Sequence, residues 1–104
     1  MDGFIGKIQP GKLSFFNKQG CPFCVKAQNK LDDLKIPYDL VDCPGNPNYS
    51  DDIKKQLEQI SGMKTYPKIF VGKKIIGGCS EMMSAISSGS FFKDLDTEGI
   101  SYVK

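Results

Sequence analysis

The stretch whose reading decides the fold is "KQGCPFCVKAQNKL", Lys18 to Leu31. Two cysteines stand two residues apart. Cys24, Ala27, Leu31 and Leu34 then step by three, four and three, which is one face of a helix. With Cys21 as the N-cap, Pro22 takes the first helical position, where its missing N–H had no intrahelical partner. A sulfur at that N-cap meets the free N–H groups of Phe23 and Cys24 and the positive end of the helix dipole. Lys18 adds charge three residues earlier. Each of these favours thiolate over thiol. Cys24 lies one turn on, beside Ala27 and Leu31, and is expected to be more buried and more thiol-like. The asymmetry predicts Cys21 as attacking nucleophile and Cys24 as resolving thiol.

The flanks fill in the rest. The helix is predicted over 22–35, with Pro37 ending it. "KLSFFN" (12–17) before it and "YDLVD" (38–42) after it read as strands. Strands joined by a helix run parallel with a right-handed crossover. "DCPGNPNYS" (42–50) is a connecting loop. Ser50 then caps "DDIKKQLEQISG", with Asp51 and Asp52 in the first turn where the dipole favours them. Ile53, Leu57 and Ile60 are its expected apolar face, and Gly62 its stop. "KIFVGKKII" reads as a hairpin turning at Gly72-Lys73. "SEMMSAISS" (80–88) and "FFKDLDTEG" (91–99) are two further helical pieces whose Met82, Met83, Ile86, Phe91, Phe92 and Leu95 are expected in the core. The first ten residues read as a short helix or an arm. The order β-α-β-α-β-β-α makes one α/β domain over 1–104, with helices on both faces of a small mixed sheet.

Bulk properties narrow the chemistry. A chain of 104 residues can bury a core without staples. The net charge of +2 gives no field that would draw nucleic acid or a membrane. The lysines are nonetheless uneven, with Lys18, Lys26, Lys54, Lys55, Lys64 and Lys68 as a candidate patch. No apolar run approaches the roughly 20 residues that span a bilayer, and "MDGFIGKIQPGK" has neither a signal-peptide core nor a transit-peptide composition. A reducing cytosol is the expected compartment and a monomer the expected state. There, four cysteines point to redox or metal chemistry. The chain has no histidine, which removes His-based acid–base catalysis and most catalytic zinc sites. A structural zinc would need a second cysteine pair. Cys43 and Cys79 are far apart in sequence and supply none, so no metal is expected.

"TYPKIFVG" places Pro67 at the start of a strand, where a proline is tolerated. A cis bond there would turn the Tyr66 backbone outward, free to pair with an extended peptide. An ordinary trans proline is the alternative.

"CPFC", "TYPKIF" and "GGCSE", in that order from about residue 12 to the C-terminus, resemble a dithiol glutaredoxin, a branch of the thioredoxin fold. The resemblance implies a four-stranded mixed sheet flanked by helices and a cis proline at Pro67 facing the active cysteine. It implies glutathione-dependent reduction of protein disulfides and protein–glutathione mixed disulfides, with glutathione as reductant and disulfide-containing or glutathionylated proteins as partners. By the same resemblance Lys18 lies near the glycine carboxylate of glutathione, and Tyr66 pairs its backbone with the cysteinyl unit beside Pro67. Cys79 and Ser80 hold the γ-glutamyl end, with Glu81 close by. Lys54 stands where the family often has glutamine, and can meet a carboxylate as a point charge. Two departures stand out: Tyr66 replaces the usual valine, and "CPFC" the commoner "CPYC". Some relatives instead share a [2Fe–2S] cluster across a dimer through the first cysteine and glutathione. Pro22 argues against that use, and "GGCSE" against a thioredoxin proper.

Overall fold

The computed structural model describes residues 4–44 and 46–103. Four strands, β1 (Leu13–Asn17), β2 (Asp39–Asp42), β3 (Lys68–Val71) and β4 (Lys74–Gly77), form one sheet in the order β2-β1-β3-β4. β1 and β2 run parallel, with Phe15 opposite Leu40. β3 is antiparallel to both β1 and β4. The helices are α1 (Pro22–Asp33), α2 (Asp51–Ser61), α3 (Cys79–Ser88) and α4 (Ser90–Glu98). Among the described residues no helix is long and apolar enough to cross a membrane.

Strand alternation divides the core between the two faces. Leu13, Phe15, Ile69 and Val71 point one way, into Cys24, Ala27 and Leu31 of α1, Met82 of α3, and Phe91 and Leu95 of α4. Phe16 and Phe70 point the other way and meet Leu57 of α2, with Phe4, Val41 and Cys43. All five residues of β1 are buried, as a strand covered on both faces requires. Met83, Ile86 and Phe92 pack on the first core half-buried.

Three details differ from the sequence reading, at the end of α1, along α2 and at Cys43. α1 stops at Asp33, well before Pro37. Lys35 takes a left-handed conformation (φ 53°), the Lys35 N–H donates to the Asp32 carbonyl, and the Ile36 N–H donates to that of Leu31. This is a Schellman closure, and burying Ile36 against Leu31 holds lysine where glycine or asparagine is the usual choice. On α2 the buried stripe runs through Leu57 to Ser61, while Ile60 is 45% exposed. Ser61 can be buried because its hydroxyl donates to the Met63 carbonyl and accepts from the Met63 N–H. Cys43, in the stretch read as a connecting loop, is fully buried. The first ten residues contain a 3-10 turn, Ile5–Lys7, anchored by buried Phe4 against the Tyr49 ring; residues 1–3 lie outside the described residues.

The Ser50 hydroxyl caps α2 by accepting from the Ile53 N–H, and the Val103 N–H donates to the Leu34 carbonyl, tying the C-terminal segment to the end of α1.

Candidate active site

The site begins where β1 ends. Asn17 donates through Nδ2 to Asp42 (2.7 Å) and accepts from Gln28 Nε2 (3.2 Å), which joins the ends of β1 and β2 to α1. The chain then turns through Lys18-Gln19-Gly20-Cys21, and the Cys21 N–H returns to the Lys18 carbonyl at 3.3 Å. Gly20 sits at the third position with φ 75°, which the type II turn demands and a side chain would resist. The turn delivers Cys21 as the N-cap of α1, with Pro22 following as the first helical residue.

Cys21 is half-exposed, Cys24 is 1% exposed, and both are free thiols. The Cys21 sulfur makes no capping hydrogen bond to the helix, contrary to the expectation that it would meet the N–H groups of Phe23 and Cys24. Its thiol instead faces the Tyr66 carbonyl at 3.8 Å, across the cleft from the cis Tyr66–Pro67 bond. Burial pushes the Cys24 thiol up to about 12. A backbone hydrogen bond from Lys18 works against the burial, and the hydrogen bond and charge of Cys21 add to it. Cys43 is likewise pushed up to about 12 by burial, and its thiol donates to the Val41 carbonyl.

Cys21 opens onto a cleft of about 700 Å³ lined by Lys18, Gly20, Cys21, Pro22, Pro44, Tyr49, Lys54, Lys64, Thr65 and Tyr66. Three lysines and no carboxylate line it, so it suits an anionic, sulfur-containing guest. A second groove of about 310 Å³ runs along Lys12, Tyr38 and Ile100 and contains no cysteine.

Of the residues expected at the site, Lys18, Cys21, Lys54 and Tyr66 come together on this cleft. Pro67 is buried behind Tyr66. Cys79 is the first residue of α3 and buried, and its thiol is raised by that burial, with Lys26 acting in the opposite sense. Ser80 follows it, exposed. Neither Cys79 nor Ser80 lines the cleft. Glu81 is committed elsewhere: its Oε1 accepts the Gly78 N–H at 2.7 Å and so caps α3. Among the described residues no three of cysteine, aspartate and glutamate gather as metal ligands would.

Tyr49, Lys64, Thr65 and Lys68 were not expected at the site. Lys68 is fully buried, and its Nζ donates to the carbonyls of Met63 and Thr65, both at 2.8 Å. The same ammonium lies 4.5 Å from the centre of the Tyr66 ring. Burial lowers its proton affinity. The Tyr66 hydroxyl meets that of Tyr49 at 2.5 Å. Lys64 and Lys68 belonged to the uneven lysine set, whose clustering was the one available signal. Tyr49 lay in a stretch read only as a connector.

Comparison with known proteins agrees with this geometry. The glutaredoxin family model matches residues 13–76. Human glutaredoxin-1 is 41% identical over 96 residues, covering 89% of this chain and 90% of its own. The glutaredoxin-1 of Sus scrofa is 38% identical over 95 residues, with the same coverage. Among solved structures, a buckwheat glutaredoxin–glutathione complex superposes with a TM-score of 0.76 at 30% identity, covering 84% of this chain and 78% of that one.

Proposed function

The chain belongs to the glutaredoxin family of thiol oxidoreductases, and on that premise we propose that it reduces protein disulfides and protein–glutathione mixed disulfides with glutathione, Cys21 attacking and Cys24 resolving. The observation that carries this reading is the inequality of the two thiols: Cys21 faces the lysine-lined cleft, while Cys24 lies buried behind it with its proton held to about 12.

With a glutathionylated protein, the Cys21 thiolate attacks the glutathione sulfur. The mixed disulfide breaks, and the protein thiolate leaves and takes a proton. Cys21 then carries glutathione. A second glutathione thiolate attacks that glutathione sulfur, glutathione disulfide departs, and Cys21 is restored. The net exchange consumes one free glutathione and turns the glutathionylated protein into the protein thiol and glutathione disulfide. This route does not use Cys24.

With a protein disulfide, Cys21 forms a mixed disulfide with the substrate. Cys24 loses its proton and attacks the Cys21 sulfur, closing a Cys21–Cys24 bond and releasing the substrate dithiol. Glutathione opens that bond in two exchanges. Two of the influences that raise Cys24, the hydrogen bond and the charge of Cys21, vanish once Cys21 is bonded to substrate. The resolving thiol is therefore easier to ionise at the stage where it is needed.

Lys18 and Lys54 flank Cys21 on the cleft and suit a glutathione carboxylate. The glutathione complex of the buckwheat relative supports the same ligand class. On this reading the Tyr66 backbone pairs with the cysteinyl unit, and Cys79 and Ser80, at the start of α3, take the γ-glutamyl end.

The test is turnover of the glutathione–2-mercaptoethanol mixed disulfide, with glutathione as reductant and NADPH consumption by a coupled reductase as readout. Cys24→Ser should keep this activity and Cys21→Ser should abolish it. An inactive Cys24→Ser with an active Cys21→Ser would reverse the roles. No turnover by the folded, reduced wild type would end the glutathione reading.

A further inference from the structure

The Tyr49–Tyr66 pair has a property that the reaction above leaves unused. Both rings line the cleft, and their hydroxyls share one hydrogen bond. Two hydroxyls hold two hydrogens, and one shared bond consumes one of them. The remaining O–H has no protein acceptor among the described residues, and it sits in a cleft whose charged lining is Lys18, Lys54 and Lys64.

The pair is also held in place. The Lys68 ammonium has three N–H groups. Two are bound by the Met63 and Thr65 carbonyls, and the third lies near the Tyr66 ring face. Lys68 is fully buried, so this anchor is shielded from water and salt. The ring cannot swing away without uncovering a buried cation. On the other side, Tyr49 is braced by the buried Phe4 ring at 5.2 Å. The two phenols therefore present an oriented donor beside three exposed cations.

We propose that Tyr49 and Tyr66 form a substrate-recognition pair that donates its spare O–H to the carboxylate of the thiol peptide held by Lys18 and Lys54, and so determines specificity for an acid over its ester. This rests on the glutathione reading above and adds to it a neutral, directional donor. Lysines attract any anion. A fixed phenol requires an acceptor at one place, and its hydrogen bond to a charged carboxylate is roughly twice as strong as one to the neutral carbonyl of an ester.

The experiment uses the full chain and two substrates, the glutathione–2-mercaptoethanol mixed disulfide and the same compound esterified at the glycine carboxylate. Tyr49→Phe/Tyr66→Phe keeps both rings, and with them the packing on Phe4 and the stacking over Lys68. Losing one hydrogen bond to a charged acceptor should raise KM for the free acid about tenfold, with kcat changed less than about twofold. KM for the ester, whose carbonyl accepts only a neutral hydrogen bond, should rise by a smaller factor of about two to three. Tyr49→Phe alone leaves Tyr66 able to donate, and should raise KM for the acid by a smaller factor. If KM rises equally for acid and ester, the pair is only a wall of the cleft and the proposal fails. An unchanged KM for the acid overturns it as well. Failure of the wild type to turn over either substrate removes the glutathione reading and this proposal with it, an outcome distinct from normal wild-type turnover with insensitive variants.

Discussion

Treatment of the native, reduced protein with iodoacetamide at pH 7 should alkylate Cys21 and spare Cys24 and Cys43. The margin follows from their protons. A cysteine with the ordinary pKa of about 8.5 is roughly 3% thiolate at pH 7. Cys24 and Cys43, held to about 12 by burial, are thiolate in about one molecule in 10⁵. That is a deficit of about three thousandfold. A more basic thiolate is a better nucleophile, and a Brønsted coefficient of about 0.4–0.5 returns about 25- to 55-fold over that interval. The net expectation is alkylation about a hundredfold slower than for an ordinary cysteine, before the steric cost of burial at 1% and 0% exposure. Timed quenching, chymotryptic digestion after Phe23 to separate Cys21 from Cys24, and mass spectrometry of the cysteine peptides would give the rates. Cys24 labelled at a rate within about fivefold of Cys21 would refute both the burial argument and the division of roles. Labelling of Cys43 at the rate of an unfolded control would show that the half-core beneath α2 does not exclude solvent.

Gly77→Ala should destabilise the fold by about 1–3 kcal/mol in urea unfolding. A Cβ there would lie 2.6 Å from Glu81 Cβ, at a φ of 126° that side chains resist; a variant as stable as wild type would show that α3 can shift away from β4. Lys68→Met strips the donor from two carbonyls and should cost about 2 kcal/mol by the same measurement; a stabilised variant would mean that desolvation of the ammonium outweighs its bonds. Stability should fall above pH 8.5. Folded Cys24 and Cys43 keep protons that unfolded cysteines release, so the unfolded state binds fewer protons and gains as pH rises. The two together should lose about 2 kcal/mol between pH 8.5 and 9.5, continuing toward about 12. Lys68, whose proton affinity is lowered, offsets part of this. Urea midpoints that rise with pH under reducing conditions would contradict it.

Much of this architecture was legible from local rules. The Cys21-Pro22 start of α1, the Ser50 cap and the Gly72-Lys73 turn each rest on a few neighbouring residues, and the structure holds all three. The element order gave the parallel β1–β2 pair and the antiparallel hairpin. Readings failed where the deciding partner was distant in sequence. The end of α1 depends on Ile36 finding the core, so Lys35 turns left-handed ahead of Pro37. Cys43 is buried because Phe16, Leu57 and Phe70 converge on it from three other elements. Lys68 read only as one of an uneven set of lysines, because its hydrogen-bond partners are backbone carbonyls, which leave no mark in composition. At the site, the two cysteines carried a local signature, whereas Tyr49 reached the cleft only through the packing of its loop against Phe4 and Tyr66.

The position of β1 has a consequence for biosynthesis. Its parallel partner β2 follows after one helix, so that unit can form once residue 42 has emerged. Its other neighbour, β3, ends at Val71. At about 5–20 residues per second, the roughly thirty residues between them take about 1.5–6 s to translate. For that interval the backbone of Leu13–Asn17 has one unpaired edge, flanked by phenylalanines whose covering helices α2, α3 and α4 are incomplete or unmade. A strand that ends up buried on both faces is, on the ribosome, open for those seconds to pairing with a neighbouring nascent chain.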